Sequence, residues 1–264
     1  MPKEKPIDSP PQREIEYLSP PAEVSMGDRW FEISSVKHFW FRRRFDVLQK
    51  LSGDLIPAGV EMAEIGCGHG LLQRQVEDQY GREVVGFDLN EYALKQNVSR
   101  RSPVICYDIY KADASLRSRF GIIFLFDVLE HITDEDGFLQ ALLFHLADKG
   151  KLVLNVPAGQ WAYSEYDRAV GHVRRYSIAT MRATAERSGL RIREWTYWGL
   201  PLLPTLVVRK LWIMGKQDKH EIISSGFDSR STAINNVLGL ISRCEVIPQK
   251  VSGTSLMAIL ERTR

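Results

Sequence analysis

The stretch Glu64-Ile-Gly66-Cys67-Gly68-His-Gly70 sets three glycines at alternate positions, directly after one apolar run and directly before a helical one. Glycines at such a turn let the backbone fold sharply and let a ligand come closer than any side chain would permit, so main chain is expected to bind something here. The dinucleotide fingerprint G-x-G-x-x-G does not fit: its third glycine would fall on Leu71, and Gly70 comes one position early. Glu64 adds a sign to the site, since a carboxylate inside the turn repels a pyrophosphate and attracts an ammonium or sulfonium group.

Further acids stand at the ends of apolar runs. Asp88 stands near the end of EVVGFDL, 18 residues after Gly70, and its two oxygens can accept from both hydroxyls of a ribose. Asp108 ends PVICYD and Asp127 ends FGIIFLFD. The runs read as strands, VEMAEIG (60–66), 83–89, 103–108, 120–127 and 151–157, and they alternate with helical segments at 71–80, 91–100 and 134–148. Strands apolar throughout and separated by helices predict a parallel sheet covered on both faces, hence a doubly wound α/β domain. Ligands of such sheets bind outside the carboxyl ends of the strands, so four acids at four successive strand ends converge on one cleft.

AEIGCGHG, GFDLN, CYDIY, FDVLEHI and LVLNVP, in this order, resemble the class I S-adenosylmethionine-dependent methyltransferases, densely over 60–157. The resemblance implies a Rossmann-like seven-stranded sheet flanked by helices with its last strand antiparallel, and S-adenosyl-L-methionine as cofactor, leaving as S-adenosyl-L-homocysteine. It further implies that Gly66, Cys67, Gly68 and Gly70 line the methionine part, that Glu64 orients the amino group, that Asp88 and Leu89 bind the ribose, that Asp108 accepts from the adenine amino group, and that Asp127 and Val128 border the sulfonium. HFWFRRR (38–44) and SEYDRAVGHVRRYS (164–177) resemble a narrower group of small-molecule and lipid-type methyltransferases within that class.

On the acceptor side the candidate bases are His131, whose type titrates near neutrality, and His172. His38, Trp40 and Arg42 are candidates for a lid over the site, with core packing as the competing account of the aromatics. Asp167, His172, Arg175 and Tyr176 are candidates for acceptor recognition, with an ion-pair network that fastens the segment as the alternative.

Six of twelve prolines fall in the first 24 residues, which predicts a mobile arm over 1–28. A helical lid over 29–57, a cofactor domain over 58–198 and 254–264, and a helical insertion over 199–253 complete the expected organisation, the insertion being an acceptor cap, an interface or a membrane-surface contact. The last strands are expected at 190–198 and 254–262. A formal net charge of +2 lacks the excess that a nucleic-acid surface needs. Cys67, Cys106 and Cys244 are too scattered for a disulfide framework or a zinc site, and no metal is expected. No run is apolar enough to span a bilayer and no signal-peptide pattern opens the sequence, so a cytoplasmic protein is expected. The leading expectation is methyl transfer to an oxygen or nitrogen of a small-molecule acceptor. RNA or protein methylation and a non-catalytic cofactor-binding module stand as alternatives, with an NAD oxidoreductase a distant third.

Overall fold

A computed structural model describes residues 14–24, 35–53, 56, 59–216, 218, 222 and 231–263. Its centre is one eight-stranded sheet: β1 (Glu16–Tyr17), β2 (Met62–Ile65), β3 (Val85–Asp88), β4 (Val104–Cys106), β5 (Phe120–Phe126), β6 (Leu146–Pro157), β7 (Leu190–Trp198) and β8 (Ser255–Arg262), in the order β1-β4-β3-β2-β5-β6-β8-β7. The pairings are parallel from β1 through β6, and β8 runs antiparallel to both of its neighbours. The order reverses between β2 and β5, so the crevice at their carboxyl ends is the switch point where a ligand is expected.

Helix α1 (Phe39–Ser52) and α2 (Leu71–Tyr80) cover one face, with Phe45, Val47, Leu48, Leu72 and Val76 packed on the sheet. After α3 (Glu91–Lys95), α4 (Glu135–His145), α5 (Glu165–Val170) and α6 (Ile178–Arg187) follow; α4 and α6 cover the other face with Phe138, Leu139, Leu142, Met181 and Ala185. The 199–253 segment contributes α7 (Leu203–Ile213) and α8 (Thr232–Ile241). Among the described residues no helix is long and apolar enough to cross a membrane.

Several expectations need correction. Residues 1–13 and 25–34 of the N-terminal arm and lid lie outside the described residues, but 14–24 is not a free arm: β1 adds an eighth strand beside β4, and the amides of Leu18 and Ser19 donate to the Cys106 carbonyl at 3.0 and 3.1 Å. Proline content forecast too little order here because an edge strand draws its stability from the neighbouring strand rather than from its own apolar surface. The third helix stops at Lys95, five residues short, because Asn97 turns the chain by accepting from the amide and hydroxyl of Ser99 at 2.9 and 2.6 Å. Helix α5 lies in a segment whose polarity concealed it; Ser164 and Asp167 close a capping box that starts it.

Buried ion pairs fasten the outer segments. Arg43 on α1 donates through Nη2 to Glu245 Oε1 at 3.0 Å, both side chains 2% exposed, and Glu245 also accepts from the amides of Gly199 and Leu200 at 2.8 and 3.0 Å. Breaking a pair of this kind leaves a charge stranded out of water. Arg43→Met is therefore expected to lower the unfolding free energy by about 3–5 kcal/mol, read from urea denaturation.

Candidate active site

Glycine geometry sets the floor of the site. Gly66, Gly68 and Gly70 have φ of 73°, 52° and 77°, a region costly for any residue with a Cβ. The amides of Gly66 and Cys67 both donate to the Phe87 carbonyl at 2.8 and 3.0 Å, which lashes the turn to the end of β3, and Gly68 donates to Asp88 Oδ2 at 2.7 Å. Asp88 Oδ1 accepts from the Asn90 amide at 2.8 Å. Burial raises the Asp88 carboxyl, and these backbone donors pull it part of the way back. At Gly66 a Cβ would stand 2.4 Å from Cγ2 of Val128, so the turn is pressed against the residue that follows Asp127.

Glu64 is buried beside this turn with Oε2 lacking any hydrogen-bond partner. Burial pushes its carboxyl up to about 8, the Arg44 guanidinium opposes that, and the like charges of Asp88 and Asp127 reinforce it. A buried carboxylate oxygen aimed into a glycine-lined cleft lacks a donor, and the ammonium of an amino-acid ligand supplies one. The residues present thus fit S-adenosylmethionine at its methionine end.

Leu89 is half-buried, and its carbonyl is taken by the Ala22 amide at 3.1 Å. Asp108 caps a short 3-10 turn by accepting from the Tyr110 amide at 3.1 Å, and its own amide donates to Ser19 Oγ at 2.9 Å. Residues 14–24 thus reach across the carboxyl ends of β3 and β4, beside both acids.

Asp127 stands at the centre. It has φ 58°, a left-handed conformation that costs a non-glycine residue about 1 kcal/mol or more. Its amide donates to the Asn155 carbonyl at 2.8 Å, Asn155 Nδ2 donates to Oδ1 at 2.7 Å, and Arg44 Nη1 donates to Oδ2 at 2.5 Å. Trp198 Nε1 donates to Asn155 Oδ1 at 2.9 Å and completes a chain from β7 to α1. The Arg44 guanidinium lies 4.8–5.2 Å from the ring centroids of Phe126, Trp40 and Phe41. Asp127 lines two cavities: one with Glu64, Cys67, Gly68 and Arg44, the other with Trp40, Glu130, Tyr166, His172, Arg175 and Leu206.

Arg44 is the residue that the sequence reading missed. The lid candidates include Trp40 and Arg42, but residues two apart on a helix point away from each other, whereas 40 and 44 share a face. Arg42 is exposed and lines a separate groove with Asn235 and Arg243. His38 is also corrected: it is buried, caps α1 by accepting from the Trp40 amide at 3.2 Å and packs on Phe39 and Phe41. Trp40 faces the second cavity and packs on Trp198, ring centroids 5.4 Å apart.

Within 164–177 the ion-pair account prevails for two candidates. Asp167 is wholly buried and accepts from Arg175 Nε and Nη2 at 2.8 and 3.0 Å, from His172 Nδ1 at 2.9 Å and from the Ser164 amide at 2.9 Å. Burial alone would raise its carboxyl, but His172 and Arg175 outweigh that and hold it below the usual carboxylate range. Tyr176 is core: 1% exposed, it donates to Glu135 Oε2 at 2.9 Å. Neither presents a polar atom to an acceptor, whereas His172 and Arg175 line the cavity. Burial, with the neighbouring His172 second, lowers His131 to about 3, which makes it a weak proton acceptor at neutral pH. Although no metal was expected, Glu130, His131 and His172 place one ligand atom each within 4.8 Å of one another. All three cysteines are free thiols.

Comparison with known proteins agrees with this geometry. Residues 36–195 match the model of a methyltransferase-domain family. The chain belongs to this family. Its sheet order and antiparallel β8 are those of the class I S-adenosylmethionine-dependent methyltransferases. A ubiquinone biosynthesis O-methyltransferase of Rhodopseudomonas palustris strain BisA53 is 32% identical over 45% of this chain and 47% of its own. A protein of Mycolicibacterium smegmatis named as a probable S-adenosylmethionine-dependent methyltransferase is 25% identical over 66% of this chain and 68% of its own. The chain thus spans about half the length of the ubiquinone-biosynthesis relatives it matches. Among solved structures, a SAM-dependent methyltransferase from Archaeoglobus fulgidus superposes with a TM-score of 0.55 over 89% of this chain and all of that one, at 16% identity, which speaks to the fold.

The raised Glu64 carboxyl gives a pH test. A folded-state value near 8 against an unfolded 4.5 means that the folded protein holds this proton more tightly, so stability falls as pH rises through that window. Glu64→Gln removes the dependence. Relative to the native chain, this ligand-free variant is expected to gain on the order of 3 kcal/mol in unfolding free energy between pH 5 and pH 8, measured by urea denaturation at both values.

Proposed function

We propose that this methyltransferase moves the methyl group of S-adenosylmethionine to an oxygen or nitrogen of a small, partly apolar molecule. The observation that carries the reading is the position of Asp127, which walls both the glycine-lined cavity and the pocket under α7. A methyl held at the first cavity's edge faces an acceptor in the second.

S-adenosylmethionine supplies an already activated methyl on a sulfonium, so the chain's work is positioning and the exclusion of water. Gly66, Gly68 and Glu64 hold the amino-acid end and Asp88 the ribose. Arg44 fixes the Asp127 carboxylate so that its negative charge stays beside the cofactor cavity. On the other side Trp40, Tyr166, Val170 and Leu206 furnish apolar walls, while Glu130, His172 and Arg175 form a polar end where the acceptor's proton is drawn off. Arg209, 4.2 Å from the Tyr166 ring centroid, and Leu206 come from α7, so the insertion caps the acceptor pocket. The similarity to O-methyltransferases of ubiquinone biosynthesis supports a small-molecule acceptor. The near-neutral charge supports it against nucleic acid.

Calorimetric titration with S-adenosylmethionine and S-adenosylhomocysteine is expected to show micromolar binding of both, with none of NAD. Gly68→Val abolishes it, because a branched side chain occupies the turn and is strained at φ 52°. Asp88→Ala is expected to weaken binding by about 1–3 kcal/mol through lost ribose hydrogen bonds. Unchanged affinity in both variants overturns the placement of the cofactor.

A further inference from the structure

The acceptor pocket ends on a cluster whose composition asks for more than a proton. Glu130 is 1% exposed, lines that pocket with His172, and has an Oε2 with no hydrogen-bond partner. His172 gives Nδ1 to Asp167 Oδ1 at 2.9 Å, and Asp167, clasped by Arg175, acts only as an acceptor. In the neutral ring the proton therefore sits on Nδ1, and Nε2, 3.8 Å from Glu130 Oε1, presents a lone pair. The His131 ring stands against that of His172, centroids 4.8 Å apart, and is oriented by a hydrogen bond to the Gly171 backbone. Histidines whose far side is tied to a carboxylate or to backbone are the arrangement that aims imidazole at a metal.

We infer that Glu130, His131 and His172 form a binding site for a divalent first-row cation, of the zinc or manganese type, at the acceptor end of the pocket. Two imidazoles and one carboxylate suit such ions and leave coordination positions for an acceptor oxygen. The three ligand atoms lie within 4.8 Å of one another, and bonds of about 2.0–2.2 Å require that triangle only to contract. Asp127 is not a ligand, since Arg44 and Asn155 occupy its oxygens.

The inference rests on the methyl-transfer reading for its role: the cation binds the acceptor hydroxyl and acidifies it, and the proton leaves to solvent. A lone pair of that oxygen then forms the bond to the methyl carbon, while the carbon–sulfur bond breaks with its pair left on sulfur.

The full chain, stripped with a chelator, is titrated with Zn²⁺ by calorimetry and with Mn²⁺ by electron paramagnetic resonance, and S-adenosylhomocysteine affinity is measured in parallel. One equivalent of cation per chain is expected. Glu130→Gln and His172→Gln, the latter keeping an amide that can donate to Asp167, should weaken it about tenfold or more while S-adenosylhomocysteine binds within about twofold of the native affinity. Absence of stoichiometric binding, or binding equal in both variants, overturns the site and leaves His172 as a direct proton acceptor. Cation binding without S-adenosylhomocysteine binding instead sinks the methyl-transfer reading and spares the cation site.

Discussion

The carboxylate of Asp127 is the constraint around which the rest is arranged. Trp198 on β7, Asn155 on β6, Asp127 after β5 and Arg44 on α1 are joined by three consecutive hydrogen bonds, the first buried and the two to Asp127 partly buried. A charge in such surroundings survives only if its partner is also held, because the cost of desolvating both must be met by fixed geometry. Arg44 is held by Trp40, Phe41 and Phe126, whose rings offer their electron-rich faces to the guanidinium. The same four residues therefore fix the N-terminal helix on the sheet and divide the cofactor cavity from the acceptor pocket.

Two other buried pairs repeat the logic further out. Arg43 and Glu245 tie α1 to the end of the insertion and to the backbone at Gly199 and Leu200, where the chain leaves β7. Asp167 and Arg175 tie α5 to the loop that carries His172, so that histidine's orientation follows from a pair it does not belong to. Outer segments with modest apolar surface are thus registered to the sheet by charge. Each such pair trades stability for a single arrangement, which a site needing sub-ångström placement demands.

How much of this could be read from the residues follows from the range of the interactions. The sheet and its switch point are legible because apolar strands, the glycine turn and strand-end acids are local patterns, and Glu64 to Gly70 and Asp88 meet across one strand pair. Helix periodicity could also have placed Arg44, since position 44 returns to the face of Trp40 while 42 does not. Asp167 and Tyr176 were not legible as buried, because their partners Arg175 and Glu135 are set by tertiary packing rather than by helical or strand spacing. Nor was the strand at Glu16–Tyr17: proline content reports on what a segment can bury alone, whereas β1 borrows its order from Ile105 and Cys106.

Glu130 shows why a local motif can conceal its chemistry. In sequence it is one acid in Asp127-Val-Leu-Glu130-His131, between a strand and a helix, and in the structure Leu129–His131 form a 3-10 turn. Positive φ at Asp127 changes the direction of the chain where β5 ends, so that Asp127 is turned towards Arg44 while Glu130 is carried past it into the acceptor pocket and His131 packs on His172. There they meet His172, forty-one residues on, whose segment is clamped to Glu130 by the Val173 amide at 2.8 Å. One strained residue thereby sets the two acids apart, with Asp127 on the wall shared by both cavities and Glu130 in the acceptor pocket. Burial raises the carboxyls of both, and the repulsion between them adds to the rise at Glu130, so the two cannot both stay charged without separate cationic partners. Arg44 is that partner for Asp127, and Arg175 opposes the rise at Glu130.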